Sequence, residues 1–356
     1  MAPIIPVFDG HNDTLTRVYR GGAPAESAFL HGTLAGHMDV PRAQQGGLRG
    51  GFFAIFTPPP PGSPELDQMY GVTFTAEGYI AAERSPIDPD YARAFTDANL
   101  DLAYGLAAQS QGEVRIALTA ADLEASIHAG TLALVLQLEG AEAIHPDLSN
   151  LEAYYERGVR SIGVVWSRPN AFGYGVPFRF PDTPNIGDGL TEAGKRLVTA
   201  CNDLGILLDL AHLNEVGFFE VAALSRAPLV VTHADVHAIC PSTRNLTDGQ
   251  LKAIGDSGGV VGINFETNNT HPKSSFEPDV PLTQITAHIN YVRDLVGIDH
   301  VAFGSDFDGA DMPLALGDVG GLPKLLTALR AEGYSQSDLE KVAYRNWLRV
   351  LRETWG

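Results

Sequence analysis

Eight short apolar runs recur along the chain, and most of the gaps between them carry a helical period. The first is Ile4, Ile5, Val7 and Phe8, β-branched and interrupted by Pro6. The second is Gly50 to Phe56, which stops at Thr57 and four prolines. Leu132 to Leu138, Ser161 to Trp166, Gly205 to Ala211, Pro228 to Thr232, Gly258 to Phe265 and His300 to Gly304 complete the set. Runs of this length without polar alternation read as strands buried on both faces. Alternation with helices predicts a parallel sheet, and eight such strands predict a (β/α)8 TIM barrel. An open doubly wound sheet fits less well, because no Gly-x-Gly-x-x-Gly follows the first run.

The gaps add detail. Gly36 to Gly51 reads as a polar, glycine-rich connection. Residues 62–128 read as a helical insertion, with helices over Tyr91 to Ala108 and Ala120 to His128. Thr191 is placed to cap a helix running to Leu204. The chain closes with helices over Leu322 to Ala331 and Ser335 to Arg352, the last with a capping box formed by Ser335 and Asp338. Residues 1–356 are therefore expected to form a single barrel domain.

The ends of the runs carry the chemistry. His11 and Asp13 follow the first, Glu139 the third, His212 the fifth, His233 the sixth and Asp306 the eighth. Residues two apart in extended chain point the same way, so His11 and Asp13 converge. In a barrel all these positions meet at the C-terminal rim, where this fold places its active sites. Singly, each has a bland alternative: a core histidine, a helix-start carboxylate, a cap. Together, three imidazoles and three carboxylates form a metal site with too many ligands for one tetrahedral ion. Two ions roughly 3.5–4 Å apart would use them, with Glu139 suited as the bridge. Asp209 and Asp308 are nearby carboxylates left outside the set. His31, His37, His128, His145, His237, His271, His288 and His300 are read as structural.

The formal charge of -19 excludes non-specific nucleic-acid binding and an anionic membrane surface. Cys201 and Cys240 are too few for a disulfide framework and read as small buried hydrophobes. Neither a secretory signal nor a run of 18 apolar residues is present, which points to a cytoplasmic protein without a membrane partner.

The motifs resemble those of the membrane (renal) dipeptidase family, zinc metallopeptidases of the amidohydrolase superfamily. The matching stretches are Asp9-Gly-His-Asn-Asp13, Leu138-Glu-Gly140, Gly158-Val-Arg160, Gly189-Leu-Thr191, Asp209-Leu-Ala-His212, Thr232-His233, Arg244-Asn245 and Gly304-Ser-Asp-Phe-Asp-Gly309. They span nearly the whole chain in family order. The resemblance implies one zinc on His11, Asp13 and Glu139 and a second on Glu139, His212 and His233. It implies that Arg244 binds the substrate carboxylate and that Asp306 carries the proton. Two positions depart from the mammalian pattern. Trp166 stands where those enzymes have a histidine thought to touch the reacting oxygen, as in bacterial relatives. Glu266 stands where they have a substrate-contacting tyrosine.

The expected activity is that of a two-zinc dipeptidase acting on small peptides with a free C-terminal carboxylate, L-Xaa-L-Xaa or L-Xaa-D-Xaa, with a homodimer left open. A hydrolase of another small amide, N-acyl amino acid or lactone is the competing reading, and Arg244 discriminates, since a neutral substrate does not need it. A catalytically idle barrel is disfavoured, because neither Asp306 nor any ligand is lost.

Overall fold

The computed structural model describes residues 4–33, 35–69 and 71–356. Eight parallel strands run side by side in chain order: β1 (Val7–Asn12), β2 (Leu48–Phe56), β3 (Leu132–Glu139), β4 (Val159–Gly163), β5 (Leu207–Asp209), β6 (Val230–Ala234), β7 (Val260–Ile263) and β8 (Val301–Phe303). Asn12 and Phe307 bridge the two ends of the sheet, so the barrel is nearly closed. The closure is reinforced by a buried side chain: both oxygens of Asp9 accept from Ser305, the backbone N–H at 2.7 Å and the hydroxyl at 2.8 Å.

The strand interiors explain the parallel arrangement. Every residue of β3 is buried, as the unbroken run Leu132 to Leu138 requires. The N-terminal end of the barrel is plugged by Trp347, which lies against Phe8 and Phe52 and donates its indole N–H to the Phe303 carbonyl. Gly10 is needed there: a Cβ would sit 2.6 Å from the Trp347 ring and 2.3 Å from the Thr232 carbonyl. Among the described residues, no helix is long and apolar enough to cross a membrane.

Several boundaries differ from the reading of the sequence. The first strand begins at Val7 and continues through His11, because Asp9, His11 and Asn12 are buried with polar partners waiting. The fourth ends at Gly163, which leaves Trp166 on the loop beyond it. A helix, Val40–Gly46, occupies the supposed polar connection; Asp39 caps it, accepting from Arg42 N–H at 2.9 Å. Thr14–His31 is a further helix, broken at Gly22. The insertion is not purely helical. Its strands Val72–Phe74 and Tyr79–Ala81 pair antiparallel, and Arg179–Phe180 joins them as a third strand. Val114–Ile116 pairs with β3 outside the barrel. The last helix forms in pieces, Gln336–Glu340 and Asn346–Trp355, around a wider π turn; the Ser335–Asp338 capping box is present.

Candidate metal centre and substrate pocket

At the C-terminal rim the three imidazoles meet one carboxylate. Glu139 Oε1 lies 3.0 Å from His212 Nε2 and 3.7 Å from the Nε2 atoms of both His11 and His233. His11 Nε2 is 3.5 Å from Asp13 Oδ2, and the His212 and His233 Nε2 atoms are 3.0 Å apart. The donors fall into overlapping groups: His11, Asp13 and Glu139; Glu139, His212 and His233; and His11, His233 and Asp306. Bonds of about 2.0–2.2 Å to a tetrahedral zinc put neighbouring donors about 3.3–3.6 Å apart. Most of these spacings are close to that edge length.

Three properties of the donors test whether they fit a cation. First, His11 Nε2 and Asp13 Oδ1 are buried without a hydrogen-bond partner, an arrangement that is unfavourable unless something else occupies them. Second, the hydrogen bonds behind the site fix the imidazole tautomers. Gln137 Nε2 donates to Asp209 Oδ2 at 2.9 Å, so its Oε1 faces His11 Nδ1 at 3.2 Å and must accept from it. Thr232 gives its hydroxyl proton to the same Asp209 oxygen at 2.6 Å, and so accepts from His233 Nδ1 at 3.0 Å. Both Nε2 lone pairs therefore face the centre. His212 Nδ1 is held by Ser167 Oγ at 2.8 Å. Third, the 3.0 Å contact between the His212 and His233 nitrogens is favourable only with a proton or a cation between them.

The electrostatics agree. Burial pushes Glu139 well above the ordinary carboxylate range; His11 opposes this, while Asp13 and Asp306 reinforce it. Burial alone would lower the His11 pKa, but Glu139, Asp13 and Asp306 outweigh it and raise it to about 10. The carboxylates thus favour positive charge at His11 Nε2, which either a proton or a bound cation in its place supplies. His212 and His233 are pushed well below their ordinary value, by burial first and then by the cations around them. Two neutral imidazoles, one basic site and a set of carboxylates make a donor set suited to a borderline divalent ion.

Eight of the nine residues singled out from the sequence line one cavity of about 430 Å³; the ninth, His11, is fully buried behind it. Asp306 accepts from Asn264 Nδ2 at 3.0 Å and is held, like His212, at a φ of 64°. That left-handed backbone is strained for residues of either type. Arg244 is buried and donates to the His233 carbonyl at 3.1 Å. Glu266 is half-buried, and its pKa is pushed to about 8 by desolvation, then by Asp306, with Arg244 opposing. The Trp166 ring stands 5.7 Å from that of His212 and 4.8 Å from Phe56. It forms part of an aromatic wall.

The two carboxylates left aside differ in what they do. Asp308 is occupied by Thr14 and by the His37 backbone. Asp209, by contrast, orients two imidazoles, through Gln137 and Thr232. The signal that could have found this network is Gln137, a polar residue inside an otherwise apolar strand, two positions before Glu139.

Residues 2–355 match the family model for membrane dipeptidase (peptidase family M19). The fold superposes with a TM-score of 0.94 on a crystal structure of a metallopeptidase from Rhodobacter sphaeroides liganded with a phosphinate mimic of the dipeptide L-Ala-D-Ala. That protein is 43% identical, and the alignment covers 99% of this chain and 100% of the other. A Klebsiella pneumoniae protein, described only as uncharacterized and encoded in the pqqA 5' region, is 48% identical over 250 residues, 70% of this chain and 92% of its own length. Dipeptidase aclJ of Aspergillus oryzae is 29% identical over 356 residues, 98% of this chain and 78% of its own. The chain therefore belongs to the membrane dipeptidase family, whose members are metallo-dipeptidases and hydrolases.

Proposed function

We propose that the chain hydrolyses dipeptides with a free C-terminal carboxylate at a two-zinc centre. His11, Asp13 and Glu139 would hold one ion and Glu139, His212 and His233 the other. The observation that carries this reading is the position of Glu139, whose carboxylate belongs to both donor groups. The chemistry that zinc supplies when bound is Lewis-acid polarisation and a water with a pKa of about 7.

The remaining work falls to the side chains. Asp306, with Oδ2 engaged by Asn264, offers Oδ1 to take the proton of the attacking water and to return it to the leaving amine. Arg244 offers its planar fork to the substrate carboxylate, and its anchor on the His233 carbonyl fixes it beside the ligand set. Trp166 and Phe56 give the pocket a dry wall, which strengthens these charged contacts. The phosphinate dipeptide mimic bound by the Rhodobacter relative supports an L-Xaa-D-Xaa substrate alongside L-Xaa-L-Xaa.

The test is a library of L-Xaa-L-Xaa and L-Xaa-D-Xaa dipeptides, assayed with zinc present, alongside N-acyl amino acids, lactones and C-terminally amidated dipeptides. Cleavage confined to free dipeptides, with zinc content approaching two per chain, is expected. Turnover of neutral amides or lactones without dipeptide cleavage refutes the reading. A zinc ratio that stays near one in zinc-supplemented protein refutes the shared-carboxylate centre.

A further inference from the structure

A second arginine faces the same cavity, and the proposed mechanism gives it no role. Arg84 follows the strand Tyr79–Ala81 and lines the pocket beside Trp166. Its guanidinium packs 4.9 Å from the Trp166 ring centre and 4.5 Å from that of Phe178. One nitrogen, Nη2, donates to the Met69 carbonyl at 2.9 Å. The other two, Nε and Nη1, are buried without any hydrogen-bond partner among the described residues.

This is an unusual state for an arginine. A buried guanidinium is normally matched by a carboxylate or fully hydrogen-bonded. Arg84 forms no ion pair among the described residues. Glu65 shares a small cavity with it and with Arg168, but no ion pair joins them. Arg168 has its own carboxylate, Glu142, at 2.8 Å, with both side chains buried. Burial, with Arg168 adding to it and Tyr79 opposing, pulls the Arg84 pKa down to about 10, so the cation is poorly compensated.

Four arginines line the cavity, Arg17, Arg20, Arg84 and Arg244, beside five carboxylates, so the partner of each arginine decides its role and not the net charge of the pocket. Arg17 is paired with Asp308. Arg244 is assigned above to the substrate backbone carboxylate. Arg20 is exposed to solvent, so Arg84 remains, stacked on the aromatic wall and with two donors unused.

We propose that Arg84 is a specificity residue that receives an acidic side chain of the dipeptide. This rests on the dipeptidase reading and deepens it: Arg244 takes the backbone carboxylate, and Arg84 takes an aspartyl or glutamyl side chain. Its position on the aromatic wall explains the geometry. Stacking on Trp166 and Phe178 removes rotamer freedom, so little ordering is left to lose when the carboxylate arrives. It also gives Trp166 a role suited to an indole, which is to hold a cation rather than to move a proton.

The experiment compares kcat/KM for dipeptides that differ only by acid and amide. Ala-Asp is set against Ala-Asn and Asp-Ala against Asn-Ala, with L and D forms at the second position. The parent should prefer the acid in one of the two series by about 10- to 100-fold, as expected for a charge-assisted hydrogen bond. Arg84→Met should collapse that ratio toward one. Arg84→Glu should reverse it and favour a lysyl side chain at the same position. The ratio within each variant is the readout, so a general loss of activity does not obscure it.

An acid-to-amide ratio near one in the parent overturns the proposal, as does a ratio that survives in Arg84→Met. Should Arg84→Met not fold, Arg84→Lys decides: it keeps the charge but loses the fork, and must show a reduced preference of the same sign. If no dipeptide of any kind is cleaved, the dipeptidase reading itself has failed. Cleavage of neutral dipeptides without an acidic preference refutes only the role of Arg84.

Discussion

Replacing Asp209 with asparagine changes one oxygen to nitrogen and should disable a centre that Asp209 does not touch. The carboxylate accepts four hydrogen bonds: Ala211 N–H at 3.0 Å and Thr232 N–H at 2.9 Å on Oδ1, and Gln137 Nε2 and the Thr232 hydroxyl on Oδ2. Backbone donors cannot turn, so the asparagine oxygen must face them and its NH2 must face Gln137 and Thr232. Gln137 then has to flip and present its own NH2 to His11 Nδ1. Thr232 has to accept from the asparagine and turn its proton to His233 Nδ1. Each change moves an imidazole proton to Nε2, the atom that faces the centre. Loss of such outer partners typically weakens metal binding by about 10- to 100-fold. His11 and His233 are assigned above to different ions, so both ions should be affected. All four hydrogen bonds are kept in this arrangement but lose their charge assistance, which lowers stability by about 1 kcal/mol for each. Chelator-competition titration of metal-depleted protein measures the affinity, and urea unfolding measures the stability. Gln137→Met breaks only the His11 arm and should weaken one site. A folded Asp209→Asn protein that binds both ions with parental affinity would refute the tautomer argument.

Asp306→Asn should keep its zinc and its KM while kcat falls by about 10² to 10⁴, as for loss of a general base; intact zinc with near-parental kcat moves the proton role elsewhere, with Glu266 the first alternative to test. Arg244→Met should harm free dipeptides far more than C-terminally amidated ones, and a parent indifferent to amidation refutes the carboxylate role. Glu266, with its pKa raised to about 8, is neutral below that pH and ionised above it. Ionisation beside Arg244 should raise KM for free dipeptides above about pH 8, and Glu266→Gln should abolish that rise; an unchanged KM profile in the variant rules Glu266 out as its source. Burial, opposed by the hydrogen bond to Thr270, depresses His288 to about 4, against about 6.5 when unfolded. Its contribution is therefore fully present above about pH 6.5 and is lost as pH falls toward 4, a change of about 3 kcal/mol. Urea unfolding across that window should show a shallower acid loss in His288→Gln, and equal slopes would count against it.

The barrel was legible because apolar runs such as Leu132 to Leu138 can only be strands covered on both faces. The rim was legible because the fold brings the strand ends to one face, which turns scattered His and Asp positions into a cluster. What stayed hidden depends on contacts between distant residues. Asp209 reads as a spare carboxylate in the sequence, since its partners Gln137 and Thr232 lie 72 and 23 residues away. The strand through His11 looks short in the sequence because polar residues end an apolar run, yet here Ser305, Gln137 and the Phe52 carbonyl satisfy them inside the barrel. The helix Thr14–His31 was masked by Gly21, Gly22 and Pro24, which break its period where the chain kinks. The antiparallel strands of the insertion are three residues long, too short for any alternation to register.

The distribution of strain explains why the centre sits on this barrel and not on a looser scaffold. His212, Asp306 and Asp308 all adopt a left-handed backbone, at roughly 1–3 kcal/mol each. Glu139, Asp306 and Glu266 crowd three carboxyl groups into the same rim, and desolvation there pushes each above its ordinary range. These costs are sustained from the opposite end, where Trp347, Phe8 and Phe52 close a dry plug and the strands are apolar on both faces. The two ends are joined by the same strands: β1 carries Phe8 in the plug and His11 at the rim, with only Asp9 and Gly10 between. Asp9 locks that strand to Ser305, whose neighbour is Asp306. A rigid apolar floor thus holds the donors close enough to repel one another, so that binding a cation relieves an arrangement the fold has already imposed.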